Sequence, residues 1–158
     1  MNIRDYRLSD KVHLVGLTLR AWEPIFQKLE LSMSAEIYEV FVPNWEKEQL
    51  RSINLVCESA DIRVIVAEEE EEIIGFSAIK FHPDDFLGEI YMIGVDPQHQ
   101  RRGAGSALTA ASLEIIKSEG YKLAMVETGG DPGHEPARRA YEKMGFEVWP
   151  VARYLKRI

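Results

Sequence analysis

Glu89-Ile90-Tyr91-Met92-Ile93-Gly94-Val95, followed by Asp96-Pro97 and then by Gln100-Arg101-Arg102-Gly103-Ala104-Gly105, is the stretch from which the fold can be read. The first seven residues are rich in β-branched and aromatic side chains and read as a strand. The run from Ala104 reads as a helix, with Ala104, Leu108, Ala111 and Ile115 at helical spacing. Between the two, Gly103 and Gly105 permit positive φ and put no Cβ between backbone and ligand. N–H groups of the turn and of the helix start then converge on one point, which makes a phosphate cradle. Arg101 and Arg102 stand beside it, as added charge or as solvated side chains. Two glycines near a helix start also serve tight strand-to-helix packing, so the motif alone does not decide between the readings.

Downstream, the helix stops at Gly120 and Lys122 to Thr128 reads as a strand, parallel to the first because a crossover helix joins them. Thr128 to His134 is a loop, Glu135 to Met144 a helix stopping at Gly145, and Phe146–Val148 and Val151–Lys156 read as strands around Pro150. Upstream, Ile3 to Arg7 reads as a strand, and Ser9-Asp10 supplies N-caps for a helix to about Trp22. A second helical region follows Ser32 or Ser34, breaks at Pro43 and resumes from Asn44 to about Glu58. Arg63–Ala67 and Ile73–Phe81 form a hairpin whose acidic tip, Glu68 to Glu72, reads as a solvated turn. Phe81 to Gly88 is the loop into the strand from Glu89.

At 158 residues and 46% hydrophobic content, the chain has room for one sizeable core, and one domain over residues 1–158 is expected. A net charge of −7 repels polyanions, which argues against a nucleic-acid or acidic-membrane partner. An anionic ligand then needs local donors such as those around Arg101 and Arg102. The single cysteine, Cys57, forms no internal disulfide and reads as a buried small hydrophobe of a reducing compartment. No apolar run approaches the ~20 residues that span a bilayer, so a soluble cytoplasmic protein is expected.

Two motifs now stand in order. Gln/Arg-x-x-Gly-x-Gly/Ala follows a strand closing on Val-Asp-Pro, and Ala137-Arg138-Arg139-Ala140-Tyr141-Glu142-Lys143-Met144-Gly145-Phe146 has the form Ala-x-x-x-Tyr-x-x-x-Gly-Phe. Together they resemble the GNAT superfamily of N-acetyltransferases, whose element order this chain follows over essentially its whole length. The specific motifs lie between Glu89 and Phe146, and the N-terminal third is similar in pattern only. The resemblance implies an α/β fold with a mixed central sheet of about seven strands, helices on both faces, and a cofactor cleft between the two parallel middle strands. It implies acetyl-CoA as cosubstrate, with its pyrophosphate on Gln100, Arg101, Arg102, Gly103, Ala104, Gly105 and Ser106. The pantetheine arm would pair with the backbone of Ile93, Gly94 and Val95, Gly94 easing a bulge and a close approach. His134, Ala137 and Tyr141 complete the implied cofactor set, although His134 stands where the family often has asparagine.

Acyl transfer to an amine needs a neutral nucleophile, charge stabilisation at the carbonyl and a proton for the departing thiolate. Glu89 resembles the general base of some superfamily members, with His82, Asp84 and Asp85 in reserve; a strand-end glutamate that is merely exposed is the competing reading. Tyr141 occupies the place of the tyrosine that meets the CoA sulfur. A phenol is protonated at neutral pH and suits a general acid, whereas a packing tyrosine is the plainer alternative. The four histidines show no metal-binding spacing, and no Gly-x-Ser-x-Gly element is present.

For the acceptor side, related folds point to Trp22, Glu23, Phe26, Trp45, Phe81, His82, Trp149 and Tyr154, aromatic and acidic residues suited to a cationic amine and equally at home in a core. The expectation is an N-acetyltransferase that acetylates a primary amine, of a small molecule or a peptide, by direct attack. A non-catalytic acyl-CoA sensor is the alternative, and the presence of Glu89 and Tyr141 favours catalysis. A homodimer is an expectation from the resemblance alone.

Overall fold

The computed structural model describes residues 1–158 as five strands and five α-helices joined by short 3-10 turns. β1 (Asn2–Asp5), β2 (Ile62–Glu69), β3 (Glu72–His82), β4 (Leu87–Val95) and β5 (Leu123–Val126) lie side by side in chain order. The first three junctions are antiparallel and only β4–β5 is parallel. A parallel pair needs a crossover, here α4 (Ala104–Ser118).

Alternation along β2 feeds two cores. Val64 and Val66 pack with Leu14, Leu17 and Ala21 of α1 (Lys11–Glu30) and with Ile53 and Val56 of α3 (Trp45–Glu58). Ile65 and Ala67 face the other way, onto Ala104 and Leu108 of α4. Ile79 and Ile90 extend that second layer to Ile116. Helices thus cover both faces, as the sequence predicts.

α1 runs on past Trp22 to Glu30, through Pro24. The proline removes one helix bond, and packing of the second half outweighs that loss: Phe26 stacks on Trp45 with ring centroids 4.9 Å apart. α2 (Ala35–Phe41) and α3 are separate helices around Pro43, and the Asn44 side chain caps α3 by accepting Lys47 N–H at 2.9 Å. The β2–β3 turn places Glu70 and Glu71 at φ 51° and 69°, the left-handed conformation of a tight hairpin turn.

The sheet has five strands where the sequence predicts about seven. Neither Phe146–Val148 nor Val151–Lys156 joins it. Pro150 offers no N–H to a ladder, and Val148, Trp149, Val151 and Tyr154 are 72–91% exposed. The chain there runs past the sheet instead, and Leu155 lines a shallow groove with Ile37, Val40 and Phe41 of α2. β5 is therefore an edge strand, and the parallel pair lies at the margin of the sheet rather than in its middle.

Candidate active site

The parallel pair is a fork. β5 pairs with β4 only from Leu87 to Ile90, opposite Leu123 to Val126, while β4 continues to Val95. From Tyr91 onward, the outer edge of β4 faces no strand, which leaves backbone groups for an extended ligand. The register with β3 slips between Ala78 and Ile79 and passes over Tyr91, whereas Gly94 pairs regularly with Phe76. The bulge expected at Gly94 therefore lies at Tyr91. Gly94 is small for another reason: a Cβ there would come within 2.7 Å of Trp22 Cζ3.

The turn after β4 is anchored by Asp96. Its N–H donates to Ile74 O at 2.9 Å, and its carboxylate accepts Gln98 N–H at 3.0 Å and Arg20 Nε–H at 2.8 Å. Burial pushes Asp96 upward, but these donors outweigh it and hold the carboxyl below its ordinary value. Gln100 Nε2 donates to Val95 O at 3.2 Å, so the Gln100 side chain ties the turn to the strand. Arg101 and Gly103 take φ of 62° and 91°.

A Cβ on Gly103 would have nothing within 4 Å, and one on Gly105 would meet only Val95 Cγ2 at 3.8 Å. No protein atom demands the missing side chains, so Gly103 serves the left-handed turn and Gly105 leaves open space in front of the helix start. The first-turn amides of Ala104, Gly105 and Ser106 have no intrahelical acceptor, and no side chain caps them. The cradle suits an anionic diphosphate.

Glu89 and His82 meet. His82 is the last residue of β3 and Glu89 the third of β4, and His82 Nε2 lies 2.7 Å from Glu89 Oε2. The carboxylate is the more enclosed, with its side chain 16% exposed against 28% for the imidazole. Both stand just before the fork, Glu89 in register with Met125. Asp84 and Asp85 lie apart on an exposed 3-10 turn, Pro83–Asp85.

Beyond β5 in the chain, α5 (Glu135–Lys143) places Ala137 and Tyr141 one turn apart on a half-buried face. The Tyr141 ring meets Phe146 edge-on at 5.8 Å, and burial pushes its phenol up to about 12. The hydroxyl holds its proton at neutral pH. The preceding loop is organised by Asp131, which accepts Gly133 N–H at 2.8 Å and pairs with His134 Nδ1 at 2.6 Å. His134 is therefore engaged within its own loop. Arg138 fastens the same loop, donating to Gly129 O at 2.6 Å and Asp131 O at 2.8 Å.

The aromatic residues expected at the acceptor side do not form one wall. Phe26 and Trp45 stack on each other, Phe81 stacks on Tyr121, Trp22 packs against the core, and Trp149 and Tyr154 are exposed. Three contributors escaped the sequence reading: Arg20, Gly88 and Arg138. Gly88 permits close helix packing, since a Cβ there would come within 2.6 Å of Ile116 Cγ1. Arg20 and Arg138 act over loop contacts for which sequence carries no periodic signal.

A mixed sheet with helices on both faces, forked at its parallel pair and opening beside a glycine turn at a helix start, has the architecture of an acetyltransferase-type α/β fold. Comparison with known proteins agrees. The model of the Acetyltransferase (GNAT) family matches residues 28–146, and the chain belongs to that family, whose cosubstrate is acetyl-CoA. It is 35% identical over 139 residues to a mycothiol acetyltransferase of Thermomonospora curvata, covering 86% of this chain and 46% of that one. To the mycothiol acetyltransferase of Streptomyces griseus it is 40% identical over 86 residues, 54% of this chain and 27% of that protein. The chain thus spans less than half the length of these relatives. Among solved structures, PaiA N-acetyltransferase from Thermoplasma acidophilum in complex with coenzyme A superposes with a TM-score of 0.70 at 19% identity, over 96% of this chain and 92% of that one. An aminoglycoside acetyltransferase from an uncultured soil metagenomic sample, in complex with sisomicin, gives 0.64 at 18% identity, over 99% and 96%. Those structural likenesses concern the fold. No helix is long and apolar enough to cross a membrane.

Proposed function

We propose that this chain is one N-acetyltransferase domain that transfers the acetyl group of acetyl-CoA to the primary amine of a small molecule. The observation that carries the reading is the fork itself, where the free edge of β4 from Tyr91 to Val95 runs into the uncapped start of α4. Bound acetyl-CoA supplies an activated thioester carbonyl. Amides of Gly103 to Ser106 hold its diphosphate, and the backbone of Ile93 to Val95 holds the extended arm against the sheet. The His82–Glu89 pair takes a proton from the incoming ammonium, and Tyr141 returns one to the departing sulfur. A small-molecule acceptor is favoured by the relatives, named for mycothiol and aminoglycoside acetylation.

A thiol-release assay with acetyl-CoA over polyamines, aminoglycosides, amino acids and peptides tests this. Release that depends on one class of amine is the expected result. Tight CoA binding without release for any amine would identify an acyl-CoA sensor instead.

A further inference from the structure

His82 and Glu89 divide one task between them, and ring chemistry indicates how. A carboxylate is only an acceptor, so at 2.7 Å the bond to Glu89 Oε2 requires the proton on His82 Nε2. In the neutral ring that sets the tautomer, with Nδ1 carrying the lone pair and pointing away from Glu89. The more enclosed group is the carboxylate and the more open one the imidazole, at 16% and 28% side-chain exposure. With the carboxylate the more enclosed of the two, Glu89 is placed to orient the ring and the imidazole to take up a proton. We propose that His82 Nδ1, oriented by Glu89, is the base of the acetyl transfer, and that Glu89 acts through it.

The surroundings fit such a division. Lys80 is the register partner of Glu89 on β3, and Asp84 and Asp85 follow His82 on the exposed turn. Glu89 carries the compensating charge when the imidazole becomes imidazolium, which a neutral partner would not do. The proton count closes. His82 Nδ1 removes one proton from the ammonium, and the freed nitrogen pair forms the C–N bond as the C–S bond breaks. The Tyr141 hydroxyl protonates the sulfur, and the second proton lost by the nitrogen restores Tyr141. His82 finally releases its proton to solvent.

This rests on the acyl-transfer reading, and the test separates the two. With the best amine of the panel, His82→Gln keeps an amide N–H for Glu89 but has no basic nitrogen, and should lower kcat by ~10²-fold with the KM for acetyl-CoA unchanged. Glu89→Gln removes the charge that stabilises the imidazolium and can present its amide N–H to Nε2, so kcat should fall as well, by up to ~10⁴-fold for an orienting carboxylate. Imidazole in the buffer should restore part of the activity of His82→Ala. His82→Gln at near wild-type rate, with Glu89→Gln inactive, overturns the assignment and returns the base to Glu89. A second measurement needs no turnover. Long-range 1H–15N spectra of the free protein at alkaline pH should show His82 protonated at Nε2 and bare at Nδ1, and the opposite tautomer overturns the proposal. A wild-type chain with the expected tautomer that acetylates no amine would remove the acyl-transfer reading and the base role with it, leaving only the pairing.

Discussion

Trp22 of α1 lies against Gly94 of β4 so closely that a β-carbon on residue 94 would approach its Cζ3 to 2.7 Å and Phe76 Cε1 to 3.2 Å. The contact joins α1 to the strand whose free edge forms one arm of the fork. The same helix reaches the loop that follows β5, because a β-carbon on Gly133 would come within 3.1 Å of Ile25 O. Consecutive turns of α1 therefore touch β4 and the loop that leads into α5.

Gly94→Ala should force the Trp22 ring aside. Overpacking of this kind costs about 1–3 kcal/mol, and for a chain of this length each kcal/mol lowers Tm by roughly 2–4 °C. Differential scanning calorimetry should show that drop together with weaker CoA binding. An unchanged Tm would mean that the indole moves freely and that α1 does not brace the fork.

Much of this was legible in the sequence where a local rule and the tertiary fold agree. Pro43 and Asn44 mark a helix break and a cap by their own chemistry, and the β-branched run of β4 suits a strand covered on both faces. The failures have physical causes. Val151 to Lys156 has strand composition, yet composition does not reveal that Pro150 and the short β5 leave it no ladder to join. α1 outlasts Pro24 through contacts to Trp45 that lie far away in sequence. Glu89 and His82 were each readable as candidates, but their meeting depends on the β3–β4 register, which places His82 opposite Leu87. The space around Gly105 is likewise visible only in three dimensions.

Gly105→Val separates cradle from packing. The nearest atom to a new β-carbon is Val95 Cγ2 at 3.8 Å, so the fold should tolerate the side chain. Branched methyls in front of the first-turn amides should cost at least one charge-assisted hydrogen bond of about 1.5–3 kcal/mol, or ~10- to 10²-fold in CoA affinity. Titration calorimetry on the folded variant checks this. Wild-type affinity would rule out anion binding at these amides.

Asp96→Asn tests the anchor of the turn. The carboxyl is held below the ordinary value of 3.8, as are Asp10, chiefly by Arg4, and Asp131, where the His134 contact and the Gly133 amide outweigh burial. A depressed carboxyl stabilises the native state fully above its unfolded value, and that contribution disappears as pH falls through the native one. Wild-type stability should therefore decline below about pH 4. Asp96→Asn should be less stable at pH 7 and show a shallower acid decline, measured by urea unfolding at each pH. A decline as steep as wild type would assign the acid sensitivity to Asp10 and Asp131 alone.

Tyr141→Phe keeps the ring against Phe146, 5.8 Å away, and removes only the hydroxyl. If the phenol protonates the leaving thiolate, turnover should fall by ~10²-fold while CoA affinity and Tm stay close to wild type. The pH behaviour supplies a second check. Burial raises this phenol from 10.0 to about 12, so its native-state stabilisation is complete below pH 10 and is lost as pH rises towards 12. Ultraviolet titration of wild type should show a late-ionising tyrosine that the variant lacks, and the variant should lose less stability over that alkaline range. Full acetyl transfer by Tyr141→Phe would leave Tyr141 a packing residue and move the acid to solvent.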